Sequence, residues 1–445
     1  MSFQPFVFLY LAGLLLIGLL STRLMKLIKM PNVTGYILTG IIMGPFVFGL
    51  LFNGFDFASA NDPSQSPIYA YTKSLSWVSS VALGFIAFSI GSSFKASVLK
   101  EVGKQVILIT LFEALGGSVL VSAVLLGAHF IWPEIVSLPL ALTLGAIAAA
   151  TAPAATLMVV KQYKARGPVT KTLLPVVALD DAAALILYSI LYQIAQTLAL
   201  GSDFNLYEML AKPIIEIAIS LGIGSILGFA ISLASHFFKS RANRLIWVIL
   251  VIFTSLGLYY LFQQDYMGKF ELSSLLICMM AGAIFANFQK TANVTFEFMD
   301  RFTAPIYMLF FVLSGASLDL TVFGGEKGWI VVLLALVYCL SRFGGKWLGA
   351  FSSARLTHSE PTVQKYLGLC LVPQAGVAIG LATSAGASFG SLNNPPEIQA
   401  IGNMVVAIVL TSTLIYEIIG PICTKIALSK AGEIQLGRSK EAVKN

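Results

Sequence analysis

The 445-residue chain has 57% hydrophobic residues and only 11% charged residues, with a mean hydropathy of +0.85. Soluble domains carry about 25% charged residues, so this composition excludes a soluble domain and indicates a protein embedded in lipid. The formal net charge of +7 does not indicate a nucleic-acid partner, because the basic residues lie mainly between the apolar stretches.

Apolar stretches of roughly 17 to 28 residues follow one another along the chain, and a helix needs about 20 residues to cross the hydrocarbon core. We therefore predict an all-α polytopic membrane protein with about 13 transmembrane helices. The first stretch lacks the cleavage site of a removable signal peptide and is predicted to be a retained helix. The predicted spans are 4–24, 32–52, 75–94, 105–130, 137–160, 169–199, 212–237, 244–262, 272–288, 302–320, 329–353, 364–386 and 398–427.

The loops between the spans alternate in basic content. Of the 28 Lys and Arg residues, 22 lie in one set of loops and the C-terminal tail, whereas the other set holds only Lys73, Lys212, Lys269 and Lys327. The positive-inside rule then places the N-terminus outside and the C-terminus in the cytoplasm, in a cell inner membrane or plasma membrane. The two remaining basic residues, Arg342 and Lys346, lie within a span.

Thirteen spans divide into six, one connector and six, which makes the two halves inverted relative to each other, as in many secondary transporters. The fifth span of each half contains a proline, Pro153 in the first and Pro373 in the second. A proline removes a backbone donor and frees a carbonyl, so an unwound segment there would offer oxygen ligands to a hard cation. A simple kink between packed helices is equally compatible with either run.

Asp180 and Asp181 are the strongest candidates for a functional site. They lie in the run LLPVVALDDAAALILY, well inside the sixth span. A charge at bilayer depth costs at least about 2.5–3.5 kcal/mol on insertion scales, so two adjacent carboxylates need a cation, a proton or water. Successive helical side chains diverge by about 100°. The two carboxylates can therefore face one cavity, but they cannot both point at the same atom. One carboxylate can then bind an ion while the other holds a counter-charge.

Lys346, in LSRFGGKWLGAF, is the natural counter-charge on another helix, and together with Asp180 and Asp181 it is a candidate proton carrier, because a buried lysine can release its proton. The alternative for Lys346 is a side chain that extends to the membrane surface. Arg342 lies one turn earlier and cannot lose its proton as a buried lysine can, so we predict a supporting role for it. Glu113, in LITLFEALGGS, is a further supporting candidate, although a hydrogen bond in helix packing is the simpler interpretation. In the interrupted spans, the candidates for unwound backbone are Thr151, Pro153, Thr156, Pro373 and Gln374.

Several motifs together resemble the cation/proton antiporter superfamily, particularly its bacterial electrogenic sodium/proton antiporters. MPNVTGYILTGIIMGP, from Met30 to Pro45, is similar to an early Pro–Gly–Tyr motif, and FFVLSGASLDL, from Phe310 to Leu320, to a late Gly-rich motif. ALDDAA resembles the paired-aspartate signature of the electrogenic branch, GGKWLGA its lysine-bearing helix and PQAGVAIGLA its second broken helix. Each motif is weak alone, but they occur in the family's order over nearly the whole chain.

The resemblance implies that Asp181 binds the cation, that Asp180 pairs with Lys346 and that Thr151 lies in the first unwound crossing. It also implies exchange of two protons per sodium ion and an elevator-like motion of a core bundle against a dimerisation bundle. The chain departs from some members at Ala152, where they have an acidic residue, and this leaves cation choice and pH sensing open. On this basis residues 1–428 form one transporter unit. Its predicted parts are a core bundle at 105–199 and 329–427, scaffold helices at 4–94 and 244–320, a connector at 212–237 and a short tail at 429–445.

The sequence therefore predicts an electrogenic sodium/proton antiporter that exchanges cytoplasmic Na⁺ for external H⁺ by alternating access. Its predicted partners are these two ions, membrane lipid and a second copy of the chain, with no nucleic acid and no resident cofactor. The alternative within the class is a potassium/proton or mixed-cation antiporter. An intramembrane aspartyl protease would need its aspartates on separate helices, whereas here they are adjacent. A sensor that has lost transport is disfavoured by the intact Asp–Asp pair and lysine.

Overall fold

The computed structural model describes residues 6–28, 30–48, 67–92, 94–200, 207, 211–263, 272–317, 328–390 and 394–434. Within these ranges the chain forms sixteen α-helices and no strand. The first eight are α1 (Phe6–Leu27), α2 (Asn32–Met43), α3 (Pro67–Ser74), α4 (Ser76–Gly91), α5 (Ala96–Ile131), α6 (Leu138–Ile147), α7 (Pro153–Tyr163) and α8 (Pro168–Leu200). The others are α9 (Lys212–Phe237), α10 (Arg241–Gln263), α11 (Ser274–Phe288), α12 (Ala292–Ala316), α13 (Gly328–Leu356), α14 (Pro361–Cys370), α15 (Gly376–Phe389) and α16 (Pro396–Lys430).

The described helices have the length and apolarity of a multi-pass membrane protein. Eight helical segments are long and apolar enough to cross a bilayer, and shorter apolar helices lie between them. The long segments are Phe6–Leu27, Pro67–Gly91, Gly103–Ile131, Pro168–Leu200, Lys212–Phe237, Arg241–Phe262, Gly328–Leu356 and Pro396–Lys430. Many of their large apolar side chains face outward, as on α1, because lipid replaces water as the solvent there.

The apolar interior falls into two parts. One part lies mainly among α1–α4 and α10–α12, which we call the first bundle, and includes Phe85, Phe88, Ile252 and Phe311. Its packing continues onto α7 and α8 through Ala154, Leu157 and Ala178. The other lies among α5–α8 and α13–α16, the second bundle, and includes Leu144, Tyr338 and Val409. Helix α9 packs mainly on α11 of the first bundle. The roles of the predicted core bundle, scaffold and connector stay predictions.

Two membrane passes are discontinuous, as the sequence predicts. Helix α6 ends at Ile147 and α7 begins at Pro153, and in the second half α14 ends at Cys370 and α15 begins at Gly376. Pro153 occupies the first turn of α7, where its missing N–H costs nothing. The interruptions therefore expose backbone carbonyls inside the second bundle rather than to lipid.

Among the described helices, α5 and α13 make the most extensive pairing. Gly116 on α5 and Gly345 on α13 lie against each other's backbone, and a side chain at either position would collide with the opposite carbonyl. Gly349 approaches the backbone of Phe112 in the same way. Small residues at these positions let the two helix axes come close, which brings residues of α5 within reach of Lys346.

The residues that follow α16 cap the first turn of α8. Gly432 adopts a left-handed conformation (φ 76°) just after the helix and turns the chain back. Glu433 then accepts hydrogen bonds from the backbone nitrogens of Val169 (2.6 Å) and Thr170 (2.9 Å), whose donors have no partner within the helix. The carboxylate also lies where the helix dipole favours negative charge.

Several predicted boundaries differ from the structure. Helix α12 begins at Ala292, ten residues before the predicted span at 302–320. The prediction began too late because Asp300 and Arg301, which lie inside the helix, lower the hydropathy of its first half. Helix α16 extends to Lys430, two residues past the predicted start of the tail at 429–445, and Glu433 beyond it is buried. Residues 435–445, the end of the predicted span at 32–52 and residues 318–320 lie outside the described residues.

Candidate functional site

The two aspartates lie near the middle of α8 and are buried, with 0% of Asp180 and 8% of Asp181 exposed. Their side chains have different surroundings. Asp180 reaches the ammonium group of Lys346, whereas Oδ1 of Asp181 is buried without a hydrogen-bond partner among the described residues. The predicted divergence of adjacent helical positions is therefore present in the structure.

Lys346 on α13 is the centre of a buried polar cluster, and only 1% of the residue is exposed. Its Nζ donates to Oε2 of Glu113 at 2.5 Å and to Oγ1 of Thr151 at 2.8 Å. Both carboxylate oxygens of Asp180 lie 3.4 Å from the same nitrogen. The side chain thus points into the second bundle, and the alternative that it extends to the membrane surface is wrong.

Glu113, a supporting candidate from the sequence, lies in the same buried cluster as Lys346. The simpler interpretation was a hydrogen bond in helix packing, but its carboxylate forms an ion pair with Lys346 and is fully buried. Among the carboxylates it is the nearest partner of the lysine. The signal available in the sequence was the small-residue run that follows Glu113, which permits close approach of α5 and α13, but only the fold shows which helix approaches.

Arg342 lies one turn before Lys346 and binds backbone rather than a carboxylate. Its Nε donates to the carbonyl of Ala148 (3.0 Å), Nη2 to that of Ala150 (2.6 Å) and Nη1 to that of Val372 (2.8 Å). These carbonyls belong to the two interruptions, where helix ends carry partial negative charge. The guanidinium satisfies three acceptors from both discontinuous passes, and its supporting role in transport stays a prediction.

The remaining candidates also lie at the two interruptions. Gln374 donates from Nε2 to the carbonyl of Ile147 (3.2 Å) and to the hydroxyl of Tyr338 (2.8 Å). Thr156 donates to the carbonyl of Cys370 at 3.3 Å. Pro373 accepts a hydrogen bond at its carbonyl from the backbone nitrogen of Ala152 at 2.9 Å. The interruptions of the two halves are therefore joined to each other as well as to α13.

A polar contact region between the bundles was not predicted. Lys161, near the end of α7, forms an ion pair with Asp300 on α12 at 2.6 Å and donates to Ser89 on α4 at 2.8 Å. The next residue, Gln162, accepts from the backbone nitrogen of Asn32 at 2.9 Å. Lys161, Asp300, Gln162 and Asn32 border a cavity of about 790 Å³ between the two bundles. In the sequence, Lys161 looked like one of several loop charges, so nothing distinguished it.

The chemistry of the site suits a hard monovalent cation and protons. Among the described residues, no three His, Cys, Asp or Glu side chains converge as a transition-metal site requires. Carboxylate, hydroxyl and carbonyl oxygens are available, and these are the ligands of hard cations. The predicted sodium position at Asp181 with Asp180 stays a prediction.

Comparisons with known proteins agree with this architecture. Residues 11–430 match the family model described as "Sodium/hydrogen exchanger, transmembrane". The Na⁺/H⁺ antiporter NhaS4 of Synechocystis is 24% identical over 432 residues, which cover 91% of this chain and 93% of the relative.

Two solved structures of the sodium proton antiporter MjNhaP1 from Methanocaldococcus jannaschii share the fold. The structure obtained at pH 8 aligns with a TM-score of 0.67 and 18% identity over 96% of this chain and 98% of that one. The structure from electron microscopy aligns with a TM-score of 0.73 and 18% identity over 98% of this chain and 100% of that one. Since the family match extends over nearly the entire described fold, including both discontinuous passes and the Asp180–Asp181 pair, the chain belongs to the transmembrane sodium/hydrogen exchanger family.

Proposed function

We propose that this protein is a secondary active antiporter that exchanges cytoplasmic Na⁺ for external H⁺ by alternating access, with net movement of charge. The observation that carries the proposal is the contrast between the two aspartates. Asp180 is engaged by Lys346, whereas Asp181 offers a buried oxygen that no described residue satisfies. A carboxylate in that setting needs a proton or a cation, and the two compete for the same oxygen.

Competition at Asp181 is sufficient to couple the two ions. With a proton bound, Asp181 is neutral and no sodium ion is held; with sodium bound, Asp181 must be ionised. We expect unwound backbone next to Thr151 and Pro373 to supply further oxygens, and Arg342 joins the two interruptions through the carbonyls of Ala150 and Val372. Exchange of two protons per sodium ion requires a second proton-binding group in the cluster around Lys346.

Alternating access requires the ion site to be exposed to each side in turn. We propose that the second bundle, which carries the site, moves against the first bundle. The support is that the Lys161–Asp300 and Asn32–Gln162 contacts link the bundles beside a cavity, so separation of these contacts would change its access. A homodimer formed through the first bundle is part of the same proposal.

The test is the substitution Asp181→Asn, which keeps the size of the side chain but cannot be ionised. We expect the variant to fold and to lose sodium-driven proton movement in proteoliposomes. Glu397→Gln is the matched control, because Glu397 is an exposed acidic residue in the first turn of α16. Exchange at near wild-type rate in Asp181→Asn would reject the assignment.

The alternative of a potassium/proton or mixed-cation antiporter differs only in the ion that Asp181 accepts. Transient currents on a solid-supported membrane, recorded with Na⁺, Li⁺ and K⁺ in turn, separate the two. A sodium/proton antiporter gives currents with Na⁺ that K⁺ at the same concentration does not reproduce. Equal currents with Na⁺ and K⁺ would favour the mixed-cation function.

A further inference from the structure

The cavity between the two bundles has an excess of positive charge in its lining. Four basic and two acidic side chains surround it, a formal net charge of plus two. The basic residues are Lys161, Lys164, Arg166 and Arg301, and the acidic residues are Glu297 and Asp300. A cleft with an excess of one sign of charge concentrates ions of the opposite sign. This cavity therefore favours an anion, although the ions proposed for transport are cations.

Three of the four basic side chains are available to a ligand. Lys161 is engaged by Asp300 at 2.6 Å. Among the described residues, by contrast, no carboxylate forms an ion pair with Lys164, Arg166 or Arg301. The same three residues are exposed, so their charged groups can reach an occupant of the cavity.

The available charges come from both bundles. Lys164 and Arg166 lie in the connection between α7 and α8, whereas Arg301 lies on α12 of the first bundle. The positive-inside rule accounts for basic residues in each of these segments separately. It does not account for their convergence on one cavity, because that depends on how segments far apart in the chain are packed.

The backbone of the connection between α7 and α8 is held in place. Lys164 has a left-handed conformation (φ 49°), which is uncommon for a residue other than glycine, asparagine or aspartate. The nitrogen of Ala165 donates to the carbonyl of Val160 at 3.0 Å, and that of Arg166 donates to the carbonyl of Glu433 at 3.1 Å. A segment that is already ordered loses less conformational entropy when a ligand binds.

A buried hydroxyl group beside the cavity also lacks a partner. Tyr307, which lines the cavity, is only 2% exposed, and its hydroxyl oxygen has no hydrogen-bond partner among the described residues. The ammonium group of Lys161 lies 5.6 Å from the centre of the Tyr307 ring. A phenol hydroxyl can donate a hydrogen bond, so this side of the cavity adds a donor to the positive charges.

The charge and the size of the cavity indicate the class of ligand. A phosphate monoester carries about −1.5 to −2 charges at neutral pH, which matches the formal excess of plus two. Guanidinium groups bind phosphate oxygens through paired N–H donors. The volume of about 790 Å³ lies within the range of roughly 300–1,000 Å³ for ligand pockets and is far larger than one phosphate group. The matching ligand is therefore a phosphate monoester on a larger organic group.

We propose that this cavity binds a phosphate monoester, with Arg166 of the second bundle and Arg301 of the first bundle as its main contacts. Lys164 contributes further positive charge. A ligand held by both bundles stabilises the arrangement in which they lie together, so a bound phosphate monoester slows exchange. No residue of the cluster around Lys346 takes part, and the binding is independent of which cation is transported.

The experiment measures the thermal unfolding midpoint of the purified protein with glycerol 3-phosphate and glucose 6-phosphate at constant ionic strength. We expect a saturable rise in the midpoint for the wild type. Arg166→Gln and Arg301→Gln should each raise the half-saturating concentration roughly tenfold, because each removes a charge-assisted contact. Arg301→Lys keeps the charge without the paired donors and should give an intermediate value, which also covers the case in which Arg301→Gln does not fold.

Arg241→Gln is the matched control, because Arg241 is an exposed basic residue that does not line the cavity. Its half-saturating concentration should equal that of the wild type. An equal loss of affinity in Arg241→Gln would show that the probes respond only to overall charge, and this result would overturn the proposal.

Phosphatidic acid separates a lipid headgroup from a free phosphate monoester, since it carries glycerol 3-phosphate on two acyl chains. The protein is reconstituted in phosphatidylcholine with and without phosphatidic acid. A rise in the midpoint with phosphatidic acid alone, abolished in both arginine variants, would assign the site to a lipid. The absence of a saturable rise with all three probes would overturn the proposal.

The effect on transport is measured in phosphatidylcholine proteoliposomes. Saturating glucose 6-phosphate, or phosphatidic acid if only the lipid binds, should slow sodium-driven exchange in the wild type and have much less effect in Arg301→Gln. Exchange that a bound ligand leaves unchanged would overturn the role of the site in holding the bundles together. Failure of the proposed function has a different signature, namely sodium-driven exchange that persists in Asp181→Asn.

Discussion

The backbone nitrogen of Ala152 donates a hydrogen bond to the carbonyl oxygen of Pro373 at 2.9 Å. The bond joins the two helix interruptions directly, although they lie in opposite halves of the chain. Helix ends inside a membrane expose backbone groups that lipid cannot satisfy. Here each interruption supplies a partner to the other, and Arg342 donates to three further carbonyls of the two interruptions.

The first prediction concerns Arg342. Substitution by methionine removes the donors to three buried carbonyls, and each unsatisfied group costs about 1–3 kcal/mol. We expect a marked fall in the thermal unfolding midpoint and loss of exchange. A lysine ammonium cannot reproduce the planar arrangement of donors in the guanidinium group, so Arg342→Lys should keep only part of the wild-type stability. Arg355→Lys, at an exposed position near the end of the same helix, is the control. Wild-type stability of the methionine variant would contradict the role of Arg342 in joining the interruptions.

The second prediction concerns the contact between Lys161 and Asp300. Both side chains are partly exposed, at 24% and 36%, so the pair contributes at most about 1 kcal/mol. We expect Lys161→Ala and Asp300→Ala each to increase hydrogen–deuterium exchange at the end of α7, and the double variant to add little, because either change alone breaks the pair. Arg301→Ala, at the exposed neighbour on α12, is the control. Fully additive effects would show that the two residues act independently.

The third prediction concerns Glu433. Removal of its carboxylate by Glu433→Ala leaves the first-turn donors of α8 without their cap, at a cost of about 1 kcal/mol. Glu433→Gln keeps an acceptor oxygen and should lose less. Glu360→Ala is a matched control, since Glu360 occupies the N-cap of α14 without a side-chain cap. Thermal unfolding midpoints of the three variants are compared with that of the wild type. An equal fall in the midpoint for Glu360→Ala and Glu433→Ala would reject the role of Glu433 as a cap.

The fourth prediction concerns orientation, which rests on the asymmetry of Lys and Arg between the two sets of loops. A reporter fused after Lys444 should be found in the cytoplasm. A reporter in the loop that contains Asp56 and Asp62 should be found outside. Reversed locations would overturn the assignment of cytoplasmic sodium and external protons, because the direction of exchange is defined by this orientation.

Hydropathy alone was sufficient to predict the membrane class and most helix positions, because lipid selects for long apolar segments. The prolines marked both positions where a helix could be interrupted, since their effect on a helix is local, but a kink was equally compatible with either run and the family resemblance favoured interruption. The failures were at places where charge occurs inside a helix, as with Asp300 in α12, or where a polar segment is held by distant residues, as with Glu433. Local composition gives no signal for contacts of that kind.

For the candidate site, too, the sequence predicted some features and the tertiary structure decided the others. The sequence by itself determined that Asp180, Asp181 and Lys346 need partners, because a charge at bilayer depth is too costly to leave alone. Only the tertiary structure decided which partners they have. The close approach of α5 and α13 at Gly116 and Gly345 places Glu113 on Lys346, and the crossing of the two interruptions directs Arg342 to backbone carbonyls. Such pairings depend on the relative position and rotation of helices far apart in the chain, which the order of residues within any one helix does not specify.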